Sequence, residues 1–197
     1  MIKRTFDIIV SFLGLVVLSP LLFIIALAIK MDSPGPILYR GLRVGRYGKP
    51  LYMYKFRTMV INADKIGGPT TSDDDPRVTP VGKLLRRFKL DEFPQLLNVV
   101  KGEMSIVGPR PDVEEVIALL QKNQKDAILS VRPGITDYAS LKFPNEGEIV
   151  AGASDPHKAY LEKIWPTKVK LQLKYVQEQS LLTDIKIIFQ TIKRVFL

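Results

Sequence analysis

Cysteine is absent and histidine occurs once, at His157. Disulfides, thiol nucleophiles, thiolate metal centres and zinc sites built on several histidines are thereby excluded, while the redox compartment stays open. No internal repeat and no low-complexity tract is present. Negative charge is the scarcer sign, with 20 Asp+Glu against 29 Lys+Arg and a net charge of +9. Ordinary glycine and proline contents, with 25% charged residues spread along the chain, argue against a collagen-like, disordered or polytopic membrane protein. Chemistry therefore falls to carboxylates, hydroxyls and cations. The 197 residues suit one compact domain with little left over.

Hydrophobicity is concentrated at one end. From Ile8 to Ile29 the chain is apolar except for Ser11, Gly14 and the pair Ser19-Pro20. As a straight helix this run spans about 33 Å, enough for a bilayer core of about 30 Å. A cleavable signal peptide is a poor fit, because its apolar region holds roughly 7–15 residues and ends at a small-residue site. This run is longer and ends in Lys30-Met31-Asp32. Lys3 and Arg4 precede it, and Lys30, Arg40, Arg43, Arg46 and Lys49 follow, so both flanks carry the charge expected of the cytoplasmic side. Pro20 lacks an N–H donor, and Ser19 is placed to bond the freed backbone. Two readings follow: a helix that breaks at Ser19-Pro20 and returns to the same face, or a proline-kinked spanning anchor.

Beyond the turn cluster Ser33-Pro34-Gly35-Pro36, Ile37 to Arg43 and Leu51 to Met59 read as strands of a β-hairpin. Alternation puts Tyr52, Tyr54 and Phe56 on one face and Met53, Lys55 and Arg57 on the other. Residues 62–75 read as a loop. Thr79-Pro80 reads as a helix start, and a further helix is expected from about Asp91 to Gly102. Asp112-Val113-Glu114-Glu115 resembles a capping box opening a helix to about Leu129, and Asp155-Pro156 opens another. From Ser180, Leu181, Leu182, Ile185, Ile188, Phe189, Ile192 and Phe196 against Lys186, Lys193 and Arg194 describe an amphipathic helix. It is expected on a membrane surface in preference to a core.

Asp91-Glu92, ahead of Pro94, is the leading candidate for chemistry. Adjacent carboxylates at a helix N-terminus meet free N–H groups that favour anions, which is expected to keep a nucleophilic carboxylate ionised. The plainer alternative is an acidic first turn. Arg86, Arg87 and Lys89 just before the pair, with a carboxylate-bound Mg²⁺, suit a diphosphate. In Gly108-Pro109-Arg110-Pro111 two prolines fix the backbone of an arginine able to grip a phosphate bidentately; Arg132-Pro133-Gly134 is a weaker version. Asp73-Asp74-Asp75 has the D-x-D spacing of a metal–nucleotide-sugar site, though such runs before proline are usually turns. His157 reads as a surface residue.

Taken in order, Lys-Arg-Thr-Phe-Asp (3–7), the Ser-Pro-interrupted apolar helix, Tyr-Lys-Phe-Arg-Thr-Met (54–59), Asp-Pro-Arg-Val-Thr-Pro-Val-Gly (75–82), Leu-Asp-Glu-Phe-Pro-Gln-Leu-Leu-Asn-Val (90–99), Lys-Gly-Glu-Met-Ser-Ile-Val-Gly-Pro-Arg-Pro (101–111) and Arg-Pro-Gly-Ile-Thr (132–136) form a specific pattern. It resembles the bacterial sugar transferase family, in particular its small monotopic phosphoglycosyl transferases, over about residues 2–140. The resemblance implies an α+β, mainly helical fold, with a re-entrant membrane helix hairpin at 1–32 and a cytoplasmic, membrane-associated sugar transferase domain at 33–197. That domain should carry a β-hairpin and interfacial amphipathic helices and sit at the bacterial inner membrane.

The implied reaction moves a sugar 1-phosphate from a UDP-sugar to undecaprenyl phosphate, giving UMP and a polyprenyl-diphosphate sugar, the first membrane step of glycoconjugate assembly. Asp91 is implied as the nucleophile that forms an aspartyl-phosphosugar, and as a ligand of Mg²⁺; Glu92 is the second catalytic carboxylate, a base or a metal-positioning group. Arg57, Arg86 and Arg110 are implied as phosphate ligands. A carboxylate is a competent phosphoryl acceptor, and two-step transfer lets one small site serve a water-soluble donor and a lipid acceptor. Basic flanks also attract anionic lipid head groups.

One departure concerns Asp137-Tyr138-Ala139-Ser140-Leu141-Lys142-Phe143, where many relatives continue with Gly-Trp-Ala-Gln-Val-Asn-Gly. The sugar therefore does not carry over. Neither the pathway nor the oligomeric state, a dimer included, follows from the chain. The basic pI of about 9.7 invites a nucleic-acid-binding reading, but the apolar N-terminus opposes it, so no nucleic-acid partner is expected. A non-catalytic membrane scaffold with Asp91-Glu92 as a mere helix cap is the remaining alternative.

Overall fold

In the computed structural model, residues 2–66, 71–72 and 74–196 are described. Helix α1 (Ile2–Asp32) runs as one helical element with Pro20 inside it. Proline cannot donate to the carbonyl of Val16, four residues back. Ser19 Oγ donates to that same oxygen at 2.8 Å, which satisfies the orphaned acceptor without stopping the helix.

Asp7, Ser11, Ile25 and Ile29 are buried, and Gly14 lies against Leu96, a spacing of three and four residues that marks a single face. The opposite side exposes Phe12, Leu13, Val16, Val17, Phe23 and Ile24. Both ends of α1 are tied to the rest of the chain. Near the start, Lys3 Nζ donates to Asp184 at 2.5 Å and to the Val107 carbonyl at 3.1 Å, while Asp7 accepts from Ser105 Oγ at 2.7 Å. Near the end, Ile25 and Ile29 join a core with Phe56 and Leu85.

The hairpin forms from β1 (Leu38–Val44) and β2 (Pro50–Phe56), with Leu38 opposite Phe56 and Val44 opposite Pro50. Its tip is a 3-10 turn, Arg46–Gly48, in which Tyr47 at φ 59° and Gly48 at φ 74° are left-handed. Alternation is seen over the first half of β2, where Leu51 and Met53 are buried and Tyr52 is exposed, whereas Phe56, expected on the face of Tyr52, is buried against Ile25, Ile29 and Leu85. Strand β2 stops before Met59, which forms a lone bridge with Val78 instead.

A short helix, α2 (Ala63–Ile66), enters the expected loop. Helix α3 (Pro80–Arg87) starts as predicted, with Thr79 Oγ1 accepting from the Gly82 N–H at 3.0 Å. Lys89, at φ 54°, turns the chain into a 3-10 turn at Leu90–Glu92, ahead of α4 (Gln95–Lys101). Asp91 and Glu92 thus precede α4 rather than form its first turn. Gly102, at φ 89°, ends α4 in the left-handed conformation that glycine adopts without cost.

The predicted helix from Asp112 to Leu129 is two helices, α5 (Glu114–Ile117) and α6 (Lys122–Leu129). Gln121 adopts extended backbone and shares a capping box with Gln124, which restarts the helix. The bend brings Val116, Ile117, Leu120 and Ile128 into one core. Before α5 lies β3 (Ser105–Val107), and after α6 lies β4 (Gly134–Thr136), a parallel pair the sequence did not announce.

The chain continues through α7 (Tyr138–Lys142), α8 (Glu146–Val150), α9 (Pro156–Lys163), α10 (Trp165–Glu178) and α11 (Leu181–Phe196). Helix α11 has two roles. Asp184 and Ile187 face inward, Asp184 accepting from Tyr175 Oη at 2.7 Å, while Leu182, Ile185, Phe189 and Ile192 remain exposed.

Candidate active site

Four segments converge on Asp91 and Glu92. Strand β2 contributes Lys55, whose Nζ lies 2.8 Å from Glu92 Oε1 and 4.0 Å from Asp91 Oδ2. The loop after β3 contributes Arg110, whose guanidinium grips both oxygens of Glu92, at 3.0 Å to Oε2 and more closely to Oε1. Such a fork combines charge with fixed direction. Helix α3 contributes Arg86, and the segment after β2 contributes Thr58, whose Oγ1 accepts from Arg86 Nε at 2.9 Å.

Local backbone chemistry explains why Arg110 stands there. Strands β3 and β4 approach so closely that a Cβ on Gly108 would lie 2.4 Å from the Arg132 carbonyl, and one on Gly134 2.1 Å from the Gly108 nitrogen. Only glycine fits at either position. The Gly134 N–H donates to the Pro109 carbonyl at 3.0 Å, which locks the two loops together. Arg110 is then held through its backbone, its N–H donating to Asp137 at 3.3 Å and its carbonyl accepting from Gln172 at 3.1 Å. Its guanidinium also donates to the Ile135 carbonyl at 3.1 Å.

Lys55 is placed by Asn98, which is fully buried on α4. The Asn98 amide behaves as a strand edge: Oδ1 accepts from the Tyr54 N–H at 3.0 Å, and Nδ2 donates to the Tyr52 carbonyl at 2.9 Å. This fixes β2 against the helix that follows the dyad.

The two carboxylates differ in proton affinity. Burial raises the pKa of Asp91 above the ordinary aspartate range, against the pull of Lys55, and the neighbouring charge of Glu92 adds to the rise. Burial also opposes ionisation of Glu92, but Arg110 and Lys55 overcome it and hold that carboxyl well below its usual range. Glu92 is therefore a fixed counter-charge, and Asp91 is the more basic oxygen of the two. Asp91 lies on the turn ahead of α4 and not at that helix's N-terminus as expected, and burial, not a helix end, is the main influence on its proton affinity.

Other candidates are placed elsewhere. Arg57 is turned toward the end of α1, with Nη2 donating to the carbonyls of Ile29 at 3.4 Å and Ser33 at 2.7 Å and to Ser33 Oγ at 3.0 Å, and Nη1 to the Pro34 carbonyl. It fastens α1 to β2. Arg132 donates to the Gly102 carbonyl at 2.9 Å at the end of α4. Asp75 is paired with Arg77, Nη2 to Oδ2 at 2.6 Å, and Asp73 lies outside the described residues. His157 stacks on Tyr160 with ring centroids 6.5 Å apart. Sequence reasoning missed Lys55 as a site residue, although it lies two positions from Arg57 in the same motif, and it missed Thr58, Asn98, Asp137 and Gln172.

Among the described residues, no group of three or more histidine, aspartate or glutamate side chains gathers as a metal cage. Both oxygens of Glu92 face cations. Asp91 is thus the available carboxylate, a donor set that fits Mg²⁺ shared with substrate phosphates and does not fit an all-protein site.

The profile of the bacterial sugar transferase family matches residues 1–197. The chain belongs to this family. It is 41% identical over 204 residues to the UDP-glucose:undecaprenyl-phosphate glucose-1-phosphate transferase of Escherichia coli (strain K12), covering 100% of this chain and 40% of that protein. It is 38% identical over 210 residues to the exopolysaccharide production protein ExoY of Sinorhizobium fredii, covering 99% of the chain and 85% of the relative. A third relative, the UDP-N-acetylgalactosamine-undecaprenyl-phosphate N-acetylgalactosaminephosphotransferase of Aeromonas hydrophila, is 34% identical over 198 residues, covering 98% of the chain and 43% of that protein. Against the Escherichia coli and Aeromonas proteins, the chain thus spans about two fifths of the relative's length.

Proposed function

We propose that the protein transfers a sugar 1-phosphate from a UDP-sugar to undecaprenyl phosphate through a covalent intermediate on Asp91. The observation that carries this reading is the unequal pair: Glu92 neutralised by Arg110 and Lys55 beside a buried, more basic Asp91. An Asp91 oxygen attacks the β-phosphorus of the donor, the bond from that phosphorus to the bridging oxygen breaks, and UMP leaves. A phosphate oxygen of the polyprenol then attacks the same phosphorus, the bond to Asp91 breaks, and the carboxylate is regenerated. Arg110, Lys55 and Arg86 neutralise phosphate charge and fix its direction, which is most of what phosphoryl transfer requires. Asp91 is the residue that would hold Mg²⁺, which would supply further charge neutralisation. The names of the Escherichia coli and Aeromonas relatives support this donor and acceptor class.

A single turnover without polyprenol phosphate tests the chemistry. Detergent-purified protein mixed with a panel of UDP-sugars and Mg²⁺ is expected to release UMP and gain the mass of one sugar phosphate. UMP release only with acceptor present, and no adduct, would replace the covalent route by direct transfer. Silence with every donor, acceptor included, would leave a scaffold.

We also place the catalytic domain on the cytoplasmic face, with α1 entering the membrane and returning, bent at Pro20. Support comes from the ties at both ends of α1 to one folded domain, with Phe12, Leu13, Val16, Val17, Phe23 and Ile24 exposed between them. A straight crossing would put these ends on opposite sides of about 30 Å of hydrocarbon, and proline is the usual site of a sharp bend. The outer apolar face of α11 would lie on the same membrane surface. Absence of cysteine makes the topology directly measurable. Ile2→Cys and Met31→Cys, both at exposed positions, are each expected to resist an impermeant maleimide in intact cells and react after permeabilisation. Labelling of either one from outside would overturn the hairpin.

A further inference from the structure

Thr58 lies immediately after the Lys55-Phe56-Arg57 stretch and is 7% exposed, yet it contributes no charge and no nucleophile to the site. Its backbone is fixed from several directions. The Thr58 carbonyl accepts from the Thr79 N–H at 3.0 Å, and the Arg57 N–H before it donates to the Ile37 carbonyl at 2.9 Å. The following residue, Met59, bridges to Val78. Gly82 of α3 presses against the same carbonyl, since a Cβ there would come within 2.1 Å of the oxygen. What this scaffold presents is one hydroxyl, which accepts from Arg86 Nε at 2.9 Å.

A bond at Nε fixes the plane of a guanidinium, because Nε lies within the planar fork. Arg86 stands in the last turn of α3, and Lys89 turns the chain directly from there into the Leu90–Glu92 turn that carries the dyad. A long side chain aimed in advance requires no reorganisation when charge develops on a phosphoryl group. We propose that Thr58 is a positioning residue, holding Arg86 so that its guanidinium meets the reacting phosphate beside Asp91. This rests on the phosphoglycosyl-transfer reading above.

The test is a double-mutant cycle on the rate of adduct formation, using Thr58→Val, Thr58→Ser, Arg86→Gln and Thr58→Val/Arg86→Gln with the responding UDP-sugar and Mg²⁺. Valine keeps the shape and removes the hydroxyl. Thr58→Val is expected to slow adduct formation by about 10- to 100-fold, the worth of a hydrogen bond to a charged group. Serine should restore most of the rate, and Thr58→Val should do nothing further once Arg86 is glutamine. A general packing defect would not show this rescue and non-additivity. A Thr58→Val enzyme as fast as wild type, or one equally impaired in both Arg86 backgrounds, would overturn the assignment while wild-type turnover keeps the transfer reading intact. A wild-type protein silent with every donor would instead remove the transfer reading, and the role of Thr58 with it.

Discussion

Asp91→Asn is expected to reduce UMP-forming turnover by at least about 10⁴-fold, the scale seen when a group that acts as part of a catalytic unit is deleted, and to abolish the sugar-phosphate adduct. The amide nearly matches the carboxylate in shape, and Glu92 keeps Arg110 and Lys55, so the neighbouring network survives. The same substitution should leave thermal stability unchanged or raised at neutral pH. Asp91 is buried with its pKa raised, so the protonated form is the one the fold favours. Its stabilising contribution is present below the unfolded pKa of about 3.9 and is lost as pH rises through the higher folded value, so ionised Asp91 opposes folding at pH 7. Asparagine removes that penalty. For the wild type, kcat/KM should fall on the acid side through a pKa above 3.9, because attack needs the carboxylate. A folded Asp91→Asn protein with near-normal turnover would end the covalent assignment; an acid limb at or below 3.9 would contradict the effect of burial.

Much of this site is legible in the chain because its motifs are local. Asp91-Glu92 and Arg110 between two prolines are each contained within a few residues, and the fold brings Arg110 onto Glu92. What was not legible depends on partners far apart in sequence. Arg57 and Lys55 sit two positions apart with similar chemistry. Only the packing of the α1 terminus onto β2 sends Arg57 to the carbonyls of Ile29, Ser33 and Pro34, and only the docking by Asn98 sends Lys55 to Glu92. The β3–β4 pair escaped notice because each strand has three residues, too few for a period to show. Its signal was the glycines: Gly108 and Gly134, flanked by Pro109 and Pro133, mark a backbone approach that no side chain survives. In α1 the proline was read correctly as a defect. Its local chemistry is a pairing with Ser19, whose hydroxyl takes over the missing donor at the Val16 carbonyl.

Arg110→Ala should be the most damaging single change outside the nucleophile, and it should act by two separable routes. Arg110 supplies the bidentate partner of Glu92, and both side chains are largely shielded from water. Truncation leaves a buried carboxylate with Lys55 as its remaining close cation, and breaking one side of a buried pair costs about 3–5 kcal/mol. The unfolding midpoint should therefore fall clearly. Transfer should slow by about 10²–10³-fold as well, since a preorganised donor facing the developing phosphoryl charge is lost. Arg110→Ala/Glu92→Gln separates the two routes: neutralising Glu92 removes the stranded charge, so stability should largely return while the rate stays low. Arg110→Lys retains the charge without the fork, and should recover stability better than rate because a lysine cannot reproduce two parallel bonds. Recovery of rate together with stability in the double variant would mean that Arg110 serves only to neutralise Glu92. A rate defect that persists in a re-stabilised protein is the result expected if this guanidinium holds the phosphate.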